Sequence, residues 1–416
     1  MILTKLYRKY QSTLTVRAGS WYIVATFAQK GIVFLAIPIF ARLLTPAQYG
    51  TVALFSSWLE ILTIILTLNL HSALNNARYD FEGAQFKDLV SAVLTLGILC
   101  IAVGNIVLAL LPETLTQAVF GLPKSLVMLA SLGTLAMFPY QVRMTTWRIA
   151  LKYTFYNLVN FLTTSYGILL SVGLILVFTL VLPAYDHALA RIVGLIAPYI
   201  AVSLLIVRHT LKDSRTFFRQ DYWRYALALA LPLMLHSLSN ILMKQFDRVL
   251  INQYFGRSET GIYTLAYQFG DIANMLWVAT NSAWFPWFFT HMSKGNHTQI
   301  RKRASQYALA FGVIVTGLIF IAPLLIRLLA PEEYWQATAI VPIVMATGFF
   351  SLLYSLYGNV ELYEKKAGYT AMMTVLAAAV NIILNIILLP IYGYQIAAWT
   401  TLVSYICLFL GHAAIV

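Results

Sequence analysis

Thr51-Val-Ala-Leu-Phe-Ser-Ser-Trp-Leu-Glu-Ile-Leu-Thr-Ile-Ile-Leu-Thr-Leu-Asn-Leu-His-Ser-Ala73 runs for twenty-three residues with one charged side chain, Glu60, near its middle. As an α-helix rising 1.5 Å per residue, such a block spans about 34 Å, enough to cross roughly 30 Å of hydrocarbon. Ser56, Glu60, Thr63, Thr67 and His71 recur along it at helical spacing, and Arg78 follows on the same face. An acid at the bilayer centre costs about 2.5–3.5 kcal/mol on insertion scales, so Glu60 needs a reason to be there. It either accepts a hydrogen bond from a neighbouring helix or lines a wet cavity. The polar stripe around it favours the cavity.

Eleven further apolar blocks flank this one, at about 19–41, 89–111, 125–145, 155–181, 188–207, 225–252, 260–285, 305–326, 337–358, 370–389 and 394–412. Turn formers separate them, as at Thr45-Pro46, Leu111-Pro112, Gly121-Leu-Pro123, Leu182-Pro183 and Ala330-Pro331. The expected fold class is therefore all-α: a polytopic membrane protein of about twelve transmembrane helices. Composition agrees. Of 416 residues 60% are apolar and 10% charged, against about 25% charged in soluble domains. Cys100 and Cys407 each lie inside an apolar block and read as small buried hydrophobes, not a disulfide. The first block, Gly19 to Ala41, is too long for the apolar core of a cleavable signal peptide.

The net charge of +13 does not point to nucleic acid, because the basic residues sit in short loops between apolar blocks. The N-terminus and the loops after spans two, four, six, eight and ten carry twenty of the lysines and arginines. The opposite loops carry Arg42, Lys124, Arg191, Arg257 and Arg327. The positive-inside rule then places both termini in the cytoplasm and the chain as a multi-pass protein of the cytoplasmic membrane. Residues 208–224 mix cations with aromatic rings and suit an amphipathic helix at the membrane surface.

That stretch also falls midway along the chain, where an internal repeat would be joined. Tyr49-Gly-Thr-Val-Ala-Leu-Phe-Ser-Ser-Trp-Leu-Glu-Ile61 echoes Thr260-Gly-Ile-Tyr-Thr-Leu-Ala-Tyr-Gln-Phe-Gly-Asp-Ile272 at an offset of 211 residues. Gly50 aligns with Gly261, Leu54 with Leu265 and Glu60 with Asp271. Matched carboxylates at one depth weigh more than matched leucines, because intramembrane acids are rare. The expected organisation is an N-lobe of spans one to six (1–207), a linker (208–224) and a C-lobe of spans seven to twelve (225–416). Parallel repeats of this kind place a site at the midplane between the halves.

Other buried polar groups mark that site. Span one has Gln29 and Lys30 near its centre. Lys30 is either ion-paired, with Glu60 the suggested partner, or a cationic ligand for an anion. Span seven has Asn240, Lys244, Asp247 and Arg248. Asp247 is the expected partner of Lys244 at i,i+3, and Arg248 either joins the site or snorkels to the interface. Span eight continues with Gln268, Asp271, Asn274 and Asn281, and span eleven with Asn381 and Asn385, read as inter-helix hydrogen-bonding groups. Trp21, Trp58, Trp147, Trp223, Trp287 and Trp399 read as interfacial belt residues; for Trp284, beside Pro286, a sugar-stacking role stays open. No phosphate-binding Gly-rich loop, metal-spaced histidines or Gly-x-Ser-x-Gly elbow occurs, so nothing suggests an enzyme or a bound cofactor.

From Gly19-Ser-Trp-Tyr through Ile37-Pro-Ile-Phe-Ala-Arg-Leu-Leu-Thr-Pro-Ala-Gln-Tyr-Gly50 the sequence resembles the polysaccharide transport family, the lipid-linked oligosaccharide flippases of the multidrug/oligosaccharidyl-lipid/polysaccharide exporter superfamily. An Arg-Leu-Leu-Thr-Pro-x-x-Tyr-Gly turn after the first span carries the likeness, and Asn252-Gln-Tyr-Phe-Gly-Arg-Ser-Glu-Thr-Gly-Ile-Tyr263 echoes it after the seventh. The resemblance implies two six-helix lobes meeting in a V around a cation-lined cavity. It implies a polyprenyl-diphosphate-linked oligosaccharide as cargo, moved from the inner to the outer leaflet. Membrane lipids and other polysaccharide assembly proteins are the further partners it suggests. Some members carry two more spans, so a chain ending at Gly411-His-Ala-Ala-Ile-Val416 is a twelve-span member or a shortened one.

A diphosphate cannot cross hydrocarbon bare, so fixed cations must replace its hydration. Lys30, Lys244 and Arg248, with Arg78 and Arg143 at the cytoplasmic entrance, are the expected substrate-binding residues. Glu60, Asp247 and Asp271 are the expected ion-coupling residues, for a proton or sodium. Two rivals are a multidrug or small-organic-cation exporter of the same superfamily and a membrane-embedded glycan polymerase or ligase. The first would want a more acidic or aromatic cavity, and the second a large external loop.

Overall fold

The computed structural model describes residues 27–181, 186–213 and 218–415. Twelve long helices carry the described chain: α1 (27–43), α2 (Pro46–Thr67), α3 (Gly83–Leu110), α4 (Lys124–Ile149), α5 (Tyr153–Val181), α6 (His187–Asp213), α7 (Gln220–Tyr254), α8 (Arg257–Met292), α9 (His297–Leu329), α10 (Val341–Tyr363), α11 (Ala367–Tyr392) and α12 (Ile396–Ile415). No strand occurs among the described residues. Ten of these helices are long and apolar enough to cross a membrane. The other two are α1, whose described part is short, and α8, whose Gln268, Asp271 and Asn274 interrupt its apolar run.

Local chemistry sets the breaks between helices. Thr45 caps α2 and Gln48 returns the bond, with Thr45 Oγ1 accepting from the Gln48 amide at 3.3 Å and Gln48 Oε1 from the Thr45 amide at 3.1 Å. Pro46 occupies the first turn, where no backbone donor is needed. At its other end α2 stops earlier than the sequence suggests. Leu68 and Asn69 take left-handed backbone angles, φ 50° and 53°, and a 3-10 turn, Leu70–Ala73, follows. The expected polar stripe is broken there. Thr63 and Thr67 are buried and donate to carbonyls of their own helix, while His71 and Arg78 belong to other elements.

Helices α3–α6 pack chiefly among themselves and α8–α12 among themselves, while α2 and α7 each pack at least as much against the other group, so that two lobes meet along α2, α7 and α8. Lipid is as apolar as leucine, so helix association rests on close packing and hydrogen bonds. The largest core joins the lobes away from the basic loops, where Ile37, Phe40 and Leu44 meet Ile262, Leu265 and Phe269. Arg42 donates to the carbonyls of Leu329 (3.0 Å) and Leu328 (3.2 Å) at the end of α9. Tyr334 donates to the Leu44 carbonyl at 2.8 Å.

At the opposite, basic end, among the described residues, the first half of α7 leans on the N-lobe. Tyr222, Ala226 and Ala230 pack among residues of α3 and α4, Trp223 donates to the Ala92 carbonyl at 2.9 Å, and Tyr225 bonds Asp80. The expected surface helix over 208–224 is not a separate element among the described residues. α6 runs to Asp213 and α7 starts at Gln220, and residues 214–217 lie outside the described chain. Trp58 is likewise no belt residue. It is buried, and its indole donates to the Phe120 carbonyl at 2.8 Å. Trp21 lies outside the described residues. Both cysteines are unpaired, and neither is the buried residue expected: Cys100 is half-buried and Cys407 exposed on α12.

Candidate interlobe cavity

Between the lobes lies a cavity of about 580 Å³, well within the usual range for ligand sites. Four cations and two carboxylates line it: Lys30, Arg191, Lys244 and Arg248 against Glu60 and Asp271. The wall also carries aromatic rings, among them Phe34, Tyr199, Tyr267 and Tyr405. Rings beside charges give a surface that can both hold an anion and stack against a flat or sugar-like face.

All of these charged groups but Lys244 are held by a neighbour on another helix. Lys30 Nζ, on α1, stands 3.9 Å from Asp271 Oδ2, on α8, and both side chains are half-exposed to the cavity. The partner of Lys30 is thus Asp271, not Glu60, because α1 lies against α8 across the lobe boundary: the Phe34 and Phe269 rings meet edge to face, centroids 5.7 Å apart. Asn274 donates to the other oxygen of Asp271 at 2.9 Å. Glu60 accepts from Gln245 Nε2 at 3.0 Å. Gln245 Oε1 in turn accepts from Arg248 at 2.8 Å and from Ser57 at 3.2 Å. An amide therefore bridges a carboxylate and a guanidinium that are not in direct contact.

Arg248 is buried, not snorkelled. It donates to the Lys244 carbonyl at 2.6 Å and to Thr264 at 3.3 Å, with Tyr267 under its charge at 5.0 Å. Lys244 reaches into the cavity with no ion pair among the described residues. Its expected partner, Asp247, faces the other way. The carboxylate of Asp247 is fully buried and accepts from Tyr263 (2.8 Å), Thr401 (2.9 Å) and Asn385 (2.7 Å). Three residues along a helix turn the side chain by about 300°, leaving the two on flanks close enough to pair, but the donors of α8, α11 and α12 capture Asp247 instead.

Of the expected residues, then, Lys30, Glu60, Lys244, Arg248 and Asp271 share one cavity. Asp247 belongs to a dry cluster behind its wall. Arg78 and Arg143 are not on the lining. Arg78 donates to the Ile149 carbonyl at the basic end, and Arg143 lies over Trp147 at 5.0 Å. Gln29 joins the N-lobe instead, bonding Thr164 at 2.8 Å and Asn160 at 2.8 and 3.2 Å.

Arg191 is the residue the sequence reading missed, counted there as an outer-loop charge. It sits in the second turn of α6, donates to Ser171 Oγ at 2.7 Å and lies 4.0 Å over the Phe40 ring. The available signal was its position inside an apolar block, where a charge calls for a partner. Gln245 and Tyr49 carried no charge to draw attention; Tyr49 donates across the lobes to Gln268, one of the polar residues read in span eight, at 2.5 Å.

Comparison with known proteins places this architecture among relatives. Residues 15–292 match the profile of the family described as "Polysaccharide biosynthesis protein". The Lsg locus protein 1 of Haemophilus influenzae is 24% identical over 319 residues, 75% of this chain and 73% of its own. The succinoglycan biosynthesis transport protein ExoT of Rhizobium meliloti is 26% identical over 336 residues, 77% of this chain and 61% of that protein. Among solved structures, the lipid II flippase MurJ in an inward closed conformation superposes with a TM-score of 0.76, covering 94% of this chain and 86% of its own at 15% identity.

Proposed function

Because the chain belongs to the polysaccharide biosynthesis protein family, we propose that it is a flippase for a polyprenyl-diphosphate-linked oligosaccharide, the repeat unit of an O-antigen, capsule or exopolysaccharide. The observation that carries this reading is the convergence of Lys30, Arg191, Lys244 and Arg248, from both lobes, on one cavity between them. A diphosphate leaving water needs fixed positive charge and hydrogen-bond donors to replace its hydration. Guanidinium groups offer paired donors and lysines a point charge. The sugars lie against the aromatic wall while the lipid tail stays in the bilayer.

The lobes are tied at the end away from the basic loops, by Arg42, Tyr334 and Tyr49. With the basic loops in the cytoplasm, that end is external, and the cycle consists of breaking these ties while the cytoplasmic end closes. Glu60 and Asp271 on the lining, and Asp247 behind it, are the groups proposed to hold the coupling ion, a proton or sodium. The ExoT and MurJ names, a transport protein of succinoglycan biosynthesis and a lipid II flippase, support the same class of cargo.

The test is a reconstituted assay. Purified protein in vesicles holding a fluorescent polyprenyl-diphosphate-linked saccharide should carry the label between leaflets, and Lys30→Ala with Lys244→Ala should abolish that movement. Movement at the wild-type rate in both variants would remove these residues from the site. Dye efflux from intact cells, without lipid-linked saccharide flipping, would favour the organic-cation exporter instead.

A further inference from the structure

Deep in the C-lobe, outside the cavity, lies a second buried acid that the cycle above does not use. Glu361 is two residues from the end of α10, and His412 is in the last turn of α12; both side chains are wholly buried. His412 Nδ1 stands 2.7 Å from Glu361 Oε1. Thr370, in the first turn of α11, donates to Oε2 at 2.7 Å. Three helices are thus pinned together by one carboxylate, at the end that carries the basic turn Lys365-Lys366. His412 Nε2 is buried with no hydrogen-bond partner among the described residues.

The proton inventory of this pair follows from those contacts. With Nδ1–H donating to the carboxylate, the pair has a net charge of −1 and Nε2 holds a bare lone pair. A proton arriving from water at Nε2 converts the ring to imidazolium and makes the pair neutral. The neutral pair keeps one unsatisfied N–H. The anionic pair keeps a net buried charge that no ion pair within the cluster neutralises, which is the costlier of the two.

The charged and titratable neighbours lie at the exposed turn: the Lys366 ammonium acts on Glu361 from there and also sees Tyr369 of α11. Lys366, on the turn, is engaged with Glu364 at 2.7 Å. Thr370 of α11 is neutral. The His412 ring lies nearly parallel to Tyr354 of α10, centroids 5.8 Å apart. Tyr354 in turn contacts Tyr405 of α12 (6.1 Å) and Trp277 of α8 (6.2 Å). Tyr405 lines the cavity, two turns from His412 on the same helix, so a shift of α12 is felt at both places.

We propose that Glu361 and His412 form a proton-binding latch that holds the basic ends of α10, α11 and α12 together when protonated and releases them when the proton leaves. Its role in transport rests on the flippase reading; its existence as a proton site does not.

Flipping of the fluorescent polyprenyl-diphosphate-linked saccharide is measured in vesicles with equal pH on both sides, at about pH 5 to 8. The wild-type rate should change several-fold across that range, by at most about tenfold per pH unit for one proton. In His412→Gln and Glu361→Gln the ratio of rates at the two extremes should fall to about one. A pH response preserved in both variants, or absent from the wild type, overturns the latch. If the wild type moves no label, the flippase reading fails, and histidine-selective nitrogen NMR of the full-length protein decides the site alone. A resonance missing in His412→Gln that takes up a proton in this range, at a pH displaced in Glu361→Gln, upholds it. A His412 resonance that does not titrate overturns it. If His412→Gln does not fold, His412→Asn supplies the same assignment.

Discussion

Gly50 and Gly261 lie face to face where α2 crosses α8, with no side chain on either to hold the backbones apart. A Cβ on Gly50 would strike the carbonyl of Arg257, and one on Gly261 the carbonyl of Pro46. Both obstacles are main chain, so neither can swing aside. The two glycines are the pair matched by the 211-residue repeat offset, and they meet beside Tyr49–Gln268, at the end of the cavity where the lobes are tied.

Gly261→Leu is expected to force this crossing open. Overpacking of a tight contact costs about 1–3 kcal/mol, so thermal unfolding in detergent should shift downward by several degrees. Gly173→Ala, where a Cβ meets nothing within 4 Å, is the control and should unfold at the wild-type temperature or slightly above. Equal unfolding temperatures for wild type and Gly261→Leu would show that the crossing is loose.

The Lys30–Asp271 pair separates charge pairing from ligand binding. Both groups are half-exposed, so the pair contributes at most about 1 kcal/mol to stability. Exchanging the two, Lys30→Asp with Asp271→Lys, should preserve membrane abundance and the pairing but not surface polysaccharide, because the cation then projects from the other lobe. Full polysaccharide in the exchanged variant would make the pair structural.

Glu60→Gln keeps an oxygen for Gln245 Nε2, so the protein should fold normally. With Asp271→Asn, it should uncouple label movement from an imposed proton or sodium gradient. A gradient response equal to wild type in both variants would reassign the two acids to structure.

Asp247→Ala should be more destabilising than Asp247→Asn. Alanine strands the donors of Tyr263, Asn385 and Thr401, at about 1–3 kcal/mol for each group left unsatisfied. Asparagine retains one acceptor for them. Unfolding temperatures of the two variants give the comparison, and equal values would mean that water enters the cluster.

Arg191→Lys is expected to weaken binding of a polyprenyl diphosphate about tenfold, or about 1.4 kcal/mol. A lysine keeps the charge but loses the planar fork that engages Ser171 and the Phe40 face together. Affinity measured by ligand-dependent thermal shift would test it; unchanged affinity would leave Arg191 as a helix-packing residue.

Much of the site was legible because charge inside hydrocarbon is conspicuous. Lys30, Glu60, Lys244, Arg248 and Asp271 each interrupt an apolar block, and all five reach the cavity. Pairing was not legible in the same way. Helical spacing put Asp247 within reach of Lys244, yet donors on three other helices bind it. The stripe through Ser56, Glu60, Thr63 and Thr67 looked continuous, but the two threonines satisfy their hydroxyls on their own backbone and never reach the lining.

By itself the sequence determined that this chain is a helical membrane protein with rare acids and bases inside its apolar blocks. Those properties follow from the lengths of apolar runs and the cost of burying charge, both local to a segment. Only the tertiary structure decided which charge faces which: Lys30 toward Asp271, Glu60 toward Gln245, Asp247 into a dry cluster and Arg191 into the cavity. Those partners come from helices distant in sequence, and their choice depends on crossing geometry such as the Gly50–Gly261 contact, which no one-dimensional pattern specifies.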